Sequence, residues 1–494
     1  MLDGAMAAGR PPPASALDAG CGAGVIGVCA AAALLAAASG SGGGAEAGAS
    51  GGASGEGQRR VHVRCQDRDE LARLFALRNA AANGIPASVL EAHAEPLLAG
   101  PDGARWDLIL SNVPAKAGEP VLRDFVGRSA GLLAPGGMAA IVAVRSLEPF
   151  FLEQIGLAGA ELLAREDGPG HSALAYAAGK GQAPARPVSM AQGPCGSGFL
   201  ERHPFYARSA ASREIEGVSV RIESVHGAPG FDEPGGAALA AARLAARSGL
   251  ALGAGRLLVH EPAQGFFPCW LLGFLLGARR AAGSAGAAAG ALSAPPAGFA
   301  PGAAAPLMVL SGRNALALEA ARRNAARAGA GFGSAGVDGA VLAGSALGGA
   351  EAGGAGFAGA GFAGAGVAGA GLGGAGVDGA ALAGAGEGAW GARAVLAADL
   401  TLGGEALLAA SGGRGYGFAA AFPELLPQGS LAKGADQLGA AWAAAARLLA
   451  PGGALIAAFS SSDAERFDRK KPSGFSRLGG ARRGGFRALA YRLD

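Results

Sequence analysis

Cysteine is scarce in this chain: five residues, at positions 21, 29, 65, 195 and 269, with no CxxC pair and no Cys/His cluster at metal-ligand spacing. That pattern excludes a zinc module and a disulfide framework, and it predicts reduced thiols, no metal centre and a cytoplasmic protein. Long apolar runs are missing as well. The longest, around GFFPCWLLGFLLGA, falls short of the roughly 20 residues that a membrane span needs, so it reads as a buried helix, with no membrane partner. The opening residues MLDGAMAAGRPPP lack the basic stretch and apolar core of a secretory signal. A strong charge of one sign is absent too. With a formal net charge of +3 over 494 residues, no global field announces a nucleic-acid partner. Local charge differs: residues 464–494 hold nine Lys/Arg against three acidic residues, a net of +6. That segment reads either as a solvated face or as a phosphate-binding patch. Nothing in the sequence sets an oligomeric state.

Glycine is in excess, at 90 residues, far above the usual share of about 7%. It concentrates in tracts at about 39–58, 279–305 and 330–389, which read as loop insertions that leave the core alone. The last tract has a five-residue period, A-x-Φ-x-G, through Phe332, Val337, Leu342, Phe357, Phe362 and Leu382. The unit resembles that of pentapeptide-repeat proteins. The Asp or Asn that usually precedes the apolar residue is mostly Gly here, and Gly loses the most entropy on ordering. A flexible low-complexity loop is the expectation, with a short β-helix as the alternative.

Residues 16–180 alternate strands and helices: SALDA, VIGVCAAAALLAAA, VHVRCQ, RDELARLFALRNAAANG, WDLILS, PVLRDFVGRSAGLLAPGG and MAAIVAV. This alternation predicts an α/β protein built on a doubly wound, mostly parallel sheet, whose ligands sit at the carboxyl ends of the strands. The second half repeats the plan. GRLLVHEPAQGFFPCWLLGFLLG stands in the place of SALDAGCGAGVIGVCAAAALL, LMVLSGRNALALEAARRNAARAG matches the second strand and helix, and AARLLAPGGALIAAF matches SAGLLAPGGMAAIVA. One internal duplication explains all three correspondences. The expected organisation is a first domain at 1–180, a linker at 181–199, and a second domain at 200–494 carrying the later insertions.

The chemistry concentrates in ALDAGCGAG. Gly20, Gly22 and Gly24 follow a strand and open a helix, which permits a tight turn and close approach of backbone N–H groups to a ligand. Asp18 stands just ahead, unsuited to a pyrophosphate but suited to a cationic amino-acid moiety. Asp67 ends the second strand, where a carboxylate can accept hydrogen bonds from both hydroxyls of a ribose. Asn112 and Pro114 end the strand WDLILSN.

These residues resemble class I methyltransferases that use S-adenosylmethionine, whose hallmarks are LDxGCGxG, an acid ending strand two and SNPP ending strand four. The nearest branch has the small methyltransferase domain of the ribosomal RNA guanine-N2 methyltransferases, which are also duplicated. The fold implied is two tandem Rossmann-like methyltransferase domains. By this resemblance Asp18, Gly20, Cys21, Gly22 and Gly24 would hold the amino-acid part of the cofactor and Asp67 its ribose. His93 falls where the family has an Asp near the adenine; a surface histidine is the plainer reading. Asn112 and the carbonyl of Val113, ahead of Pro114, would orient an exocyclic amine. Val113 replaces the family's Pro, and Ala115 its base-stacking aromatic residue.

The second copy reads as degenerate: HEPAQG replaces DAGCGAG, Gly312 stands where Asp67 does, and Phe422 near the place of Asn112. The resemblance implies an N-methyltransferase for a guanine amine in ribosomal or other structured RNA, with RNA as its partner. A protein amide acceptor and a non-catalytic RNA-binding protein with the same fold are the alternatives.

Overall fold

The computed structural model describes residues 13–40, 60–99, 104–179, 199–230, 232–285, 306–330, 392–396, 404–423, 425 and 436–494. Nearly all of the glycine-rich tracts, the five-residue repeat and the linker read at 181–199 lie outside the described residues. Two compact units are present, one chiefly residues 1–195 and the other chiefly residues 207–494.

The first unit runs β1 (Ser15–Ala19), α1 (Val25–Gly40), β2 (His62–Asp67), α2 (Glu70–Ala82), β3 (Leu90–Ala94), β4 (Trp106–Asn112), α3 (Glu119–Leu132), β5 (Leu133–Val144), α4 (Glu148–Leu157), β6 (Glu161–Asp167) and β7 (His171–Ala177). Its sheet has the order β3-β2-β1-β4-β5-β7-β6. β1 to β5 pair in parallel, and β7 is antiparallel to both neighbours. The chain leaves β1 toward β2 on one side and β4 lies on the other, so the crevice at the carboxyl end of β1 is the topological switch point. Strand β1 is seated from the far end: Asp107 Oδ2 accepts hydrogen bonds from the Ala14 N–H (2.9 Å) and the Ser15 N–H (3.0 Å).

Local chemistry explains the boundaries. Asp69 caps α2 by accepting from the Leu71 N–H at 2.9 Å. The helical reading of PVLRDFVGRSAGLLAPGG ends early, at Leu132. Leu133, where β5 begins, is already extended, the residue before Pro135 is driven extended as well, and Gly136 at φ 78° bends the chain within β5. Strands β3, β6 and β7 complete a sheet of which the periodicity had picked out four strands.

The second unit opens with an antiparallel pair, β8 (Ala207–Ile215) and β9 (Val218–Val225). It continues α5 (Gly236–Ser248), β10 (Arg256–His260), α6 (Phe266–Ala285), β11 (Leu307–Gly312), α7 (Ala315–Ala330), β12 (Ala392–Leu396), α8 (Gly404–Ala410), β13 (Tyr416–Ala421), α9 (Gln437–Leu448), β14 (Leu449–Ser460), α10 (Ser461–Arg469), β15 (Phe475–Arg483) and β16 (Phe486–Leu493). The sheet order, β12-β11-β10-β13-β14-β16-β15, is that of the first unit strand for strand. Both units are Rossmann-like. The apolar run around Trp270 is the buried helix α6, with Trp270 and Leu271 fully enclosed, and among the described residues no helix is long and apolar enough to cross a membrane.

In each unit one glycine lies where two helices pass, α1 and α2 in the first and α6 and α7 in the second. A Cβ on Gly24 would lie 2.6 Å from Ala76 Cβ, and one on Gly265 would lie 2.9 Å from Ala321 Cα. Gly22, also at positive φ, has open space around the same position. Gly24→Ala therefore combines left-handed strain of roughly 1–2 kcal/mol with overpacking of about 1–3 kcal/mol, whereas Gly22→Ala carries the strain alone. Urea unfolding of the two variants should show the larger loss at Gly24; equal losses would mean that the helix crossing tolerates a methyl group.

Candidate active site

Strand β1 ends in a turn written by hydrogen bonds. The Gly20 and Cys21 N–H groups both donate to the Gln66 carbonyl, at 2.8 and 3.0 Å, and the Gly24 N–H donates to the Cys21 carbonyl at 2.8 Å. Gly20, Gly22 and Gly24 take φ of 78°, 52° and 79°, a left-handed alternation that side chains resist. The carboxylate of Asp67 latches the turn: Oδ2 accepts from the Gly22 N–H at 3.1 Å and Oδ1 from the Asp69 N–H at 3.0 Å. Each oxygen keeps a further lone pair for a ligand hydroxyl.

Asp18 lies beneath the turn, fully buried. Its Oδ2 accepts from the Gly27 N–H at 2.7 Å, while Oδ1 has no hydrogen-bond partner. Burial pushes its carboxyl up to about 6 against the opposing Gly27 bond, and the charge of Asp67 adds to the rise. An orphaned, buried acid beneath a glycine turn fits a ligand that brings a cationic amine, as the amino-acid part of S-adenosylmethionine does. Cys21 belongs to the same turn. Its thiol is pushed well above the usual range by a hydrogen bond with Cys65 and by burial.

Gln66 and the loop it organises were not legible in the sequence. Its side-chain amide donates to the carbonyls of Leu97 and Ala99, the latter at 2.6 Å, and its Oε1 accepts from Arg64 Nε at 2.8 Å. This holds the loop after β3 beside the turn, with Leu97 Cδ2 3.5 Å from where a Gly20 Cβ would stand. The only signal was a polar residue at the end of an apolar strand. His93 is not gathered into this group. It pairs in register with Gln66, so strand alternation sends it to the face opposite Asp18 and Cys65, where its Nε2 lies 3.3 Å from Glu91 Oε2. Bonds from His62 and then His93 hold the Glu91 carboxyl well below its ordinary value.

The acceptor-side residues stand one strand away. Ser111 Oγ donates to the Ala19 carbonyl at 2.6 Å, tying the end of β4 to the start of the glycine turn. Asn112 is exposed, and neither its side chain nor the Val113 carbonyl makes a hydrogen bond among the described residues. The Val113 N–H donates to Val142 O at 2.9 Å, a bond a proline could not make. Pro114 closes the turn by accepting from the Ala117 N–H at 2.9 Å.

The second unit keeps the backbone and loses the polar groups. Strand register aligns His260 with Ala19 and Ser311 with Gln66, which puts Val259 at the place of Asp18 and Gly312 at that of Asp67. Glu261, Ala263 and Gly265 then occupy the three glycine positions, with φ of 54°, 48° and 100°. Glu261 Oε1 accepts from the Arg313 N–H at 2.9 Å, and Oε2 stands 3.3 Å from a Cβ position on Gly312. The side chain thus fills the space that Asp67 borders in the first unit. Phe422 takes the position of Asn112 and packs on Phe267, ring centroids 5.2 Å apart.

Asp18 makes the fold sensitive to pH. Because its folded pKa is raised from 3.8 to about 6, its contribution favours folding below pH 3.8 and is lost as pH rises through 6. The loss is about 3 kcal/mol. Asp18→Asn should abolish this component, so the stability difference between variant and native protein should change between pH 4 and pH 7. A difference independent of pH would show that Asp18 is ionised throughout.

Residues 41–164 match the family model of the methyltransferase small domain. No curated protein matches the chain in sequence. Among solved structures, the 16S rRNA N2 methyltransferase of T. thermophilus, in complex with AdoMet and guanosine, superposes with a TM-score of 0.51 at 15% identity, covering 100% of this chain and 91% of that one. The ribosomal protein L11 methylase of Lactobacillus delbrueckii subsp. bulgaricus covers 36% of this chain and 76% of its own at 18% identity and a TM-score of 0.27. At 15% identity the first of these superpositions speaks for the fold alone. The small-domain match covers residues 41–164, which include the acid ending β2, and the superposition shows that the chain has the Rossmann-like fold of a methyltransferase.

Proposed function

We propose that this chain is an N-methyltransferase whose acceptor is the exocyclic amine of a guanine in ribosomal or other structured RNA. The observation that carries the reading is the pair of unpartnered acceptors, the Asn112 side chain and the Val113 carbonyl, at the carboxyl end of the strand next to the glycine turn. The guanosine and 16S rRNA of the T. thermophilus superposition support the same acceptor class. Residues 1–180 form the catalytic domain in this reading, 181–199 a linker, and 200–494 a non-catalytic partner descended from the same unit by duplication. Shared strand order and shared left-handed positions support that descent. The free thiols of Cys21, Cys29, Cys65 and Cys269 suit the cytoplasm.

S-adenosylmethionine supplies a methyl group activated on a sulfonium. Asp18 and the turn of Gly20, Cys21, Gly22 and Gly24 would enclose its amino-acid end, and Asp67 would hold its ribose hydroxyls. His93, paired with Glu91, is left outside this assignment. Asn112 Oδ1 and the Val113 carbonyl accept the two N–H bonds of the amine, which orients the nitrogen lone pair and leaves the ring of the base in the crevice. No strong base is required, because the nitrogen becomes acidic as its new bond forms. Positioning supplies most of the acceleration. Ala115 offers no ring for the base to stack on, so acceptor affinity must come from elsewhere on the chain.

Transfer of labelled methyl groups to total RNA and total protein tests the acceptor class: label in RNA supports the reading, label in protein moves the acceptor to an amide nitrogen, and label in neither leaves a non-catalytic binding protein. Asn112→Ala should lower turnover about a hundredfold or more with cofactor affinity unchanged. Asp67→Ala should weaken cofactor binding by roughly 1–3 kcal/mol. A native turnover rate in Asn112→Ala would sink the proposed acceptor geometry.

A further inference from the structure

The hairpin of β15 and β16 ends in a tight turn, Arg483-Gly484-Gly485-Phe486, with both glycines at positive φ and Arg483 paired to Phe486. Three arginines crowd this tip. Arg482 and Arg487 stand opposite each other on one face and share a single carboxylate, Glu465, at 3.9 and 3.6 Å. Arg483 is exposed on the other face and has no ion pair among the described residues. Phe486 lies beside it, a large aromatic side chain left 38% exposed. The ring is seated on a bare backbone: a Cβ on Gly236 would fall 2.5 Å from Phe486 Cδ2. One side of the phenyl is therefore fixed against the start of α5 and the remainder faces solvent.

The fold does not require this chemistry. In the first unit the equivalent strands β6 and β7 hold the same register, with Val144 paired to His171 as Ser460 is to Phe486. There the approach to the turn is Glu166-Asp167, and His171 stands in the place of Phe486. Asp167, paired with Ser172, stands where Arg482, paired with Arg487, does in the second unit, so the hairpin itself does not call for arginine there. Three guanidinium groups with one carboxylate between them, around a pinned, exposed ring, suit an anionic polymer that carries planar bases: guanidinium binds phosphate oxygens through parallel N–H bonds, and a phenyl ring stacks an unpaired base whatever its identity.

We propose that the β15–β16 tip is an RNA-binding finger, in which Arg482, Arg483 and Arg487 take backbone phosphates and Phe486 stacks an unpaired base. It rests on the reading that the acceptor is RNA.

The test uses the full chain and a fluorescent RNA stem-loop with an unpaired loop, titrated by anisotropy over a range of salt. The triple variant Arg482→Ala, Arg483→Ala, Arg487→Ala should bind at least tenfold more weakly, and its log–log salt slope should be shallower by about 2, since each phosphate contact contributes about 0.7 on single strands. Phe486→Ala should weaken binding severalfold with the slope unchanged. The corresponding triple lysine variant should keep the slope and most of the affinity, which separates charge from folding. Cofactor affinity should be native in all three. If the native chain and the triple alanine variant bind RNA equally, the finger is overturned while the RNA acceptor stands. If the native chain binds no RNA, or binds phosphatidylserine vesicles in its place, the acceptor reading fails with it.

Discussion

The close crossing of the first two helices governs the geometry of the first unit. Gly24 ends the turn, opens α1 through the Val28 N–H bond to its carbonyl (2.8 Å), and lets α1 pass Ala76 where no side chain would fit. Because α1 must start there, the chain has only five residues between β1 and the helix. It spans that gap by the left-handed alternation of Gly20, Gly22 and Gly24, which turns their N–H groups toward the Gln66 carbonyl, the Asp67 carboxylate and the Cys21 carbonyl. Backbone placement at the site thus follows from how two helices pack.

The second unit shows which part of that arrangement belongs to packing and which to ligand chemistry. Gly265 is kept where Ala321 forbids a side chain, while the two other left-handed positions are filled by Glu261 and Ala263. Each such residue costs of order 1 kcal/mol, and the surrounding packing holds them there. In the second unit these two positions are not kept bare. Glu261 turns its carboxylate onto the Arg313 N–H, so the acid comes from the opposite strand to that of Asp67, and it closes the space. Val259 at the place of Asp18 removes the buried charge.

A similar divergence runs through the acceptor side and the sheet edge. Asn112 leaves its amide exposed, whereas Phe422 buries a ring against Phe267. The β6–β7 turn is acidic and the β15–β16 turn is arginine-rich on the same backbone register. Core positions in the two units agree because both must bury the same sheet faces; edge positions are free of that constraint and carry the differences in charge.

The sequence by itself determined the alternation of strands and helices, the glycine turn, the acid ending β2 and the loss of both in the second half. These depend on local spacing and on residue types that physical chemistry restricts: period in apolar residues, Gly at positive φ, carboxylate at a strand end. Only the tertiary structure decided that Asp18 is wholly enclosed with one oxygen unpartnered, that Gln66 clamps the loop of Leu97 and Ala99, and that His93 faces Glu91 on the other side of the sheet. It also aligned Glu261 with Gly20, a step that reading HEPAQG against DAGCGAG cannot make, because the two stretches differ in length by one residue. Each of these depends on which strands are neighbours and in what register. A one-residue shift in register moves a side chain to the opposite face, and only the assembled sheet fixes which register holds.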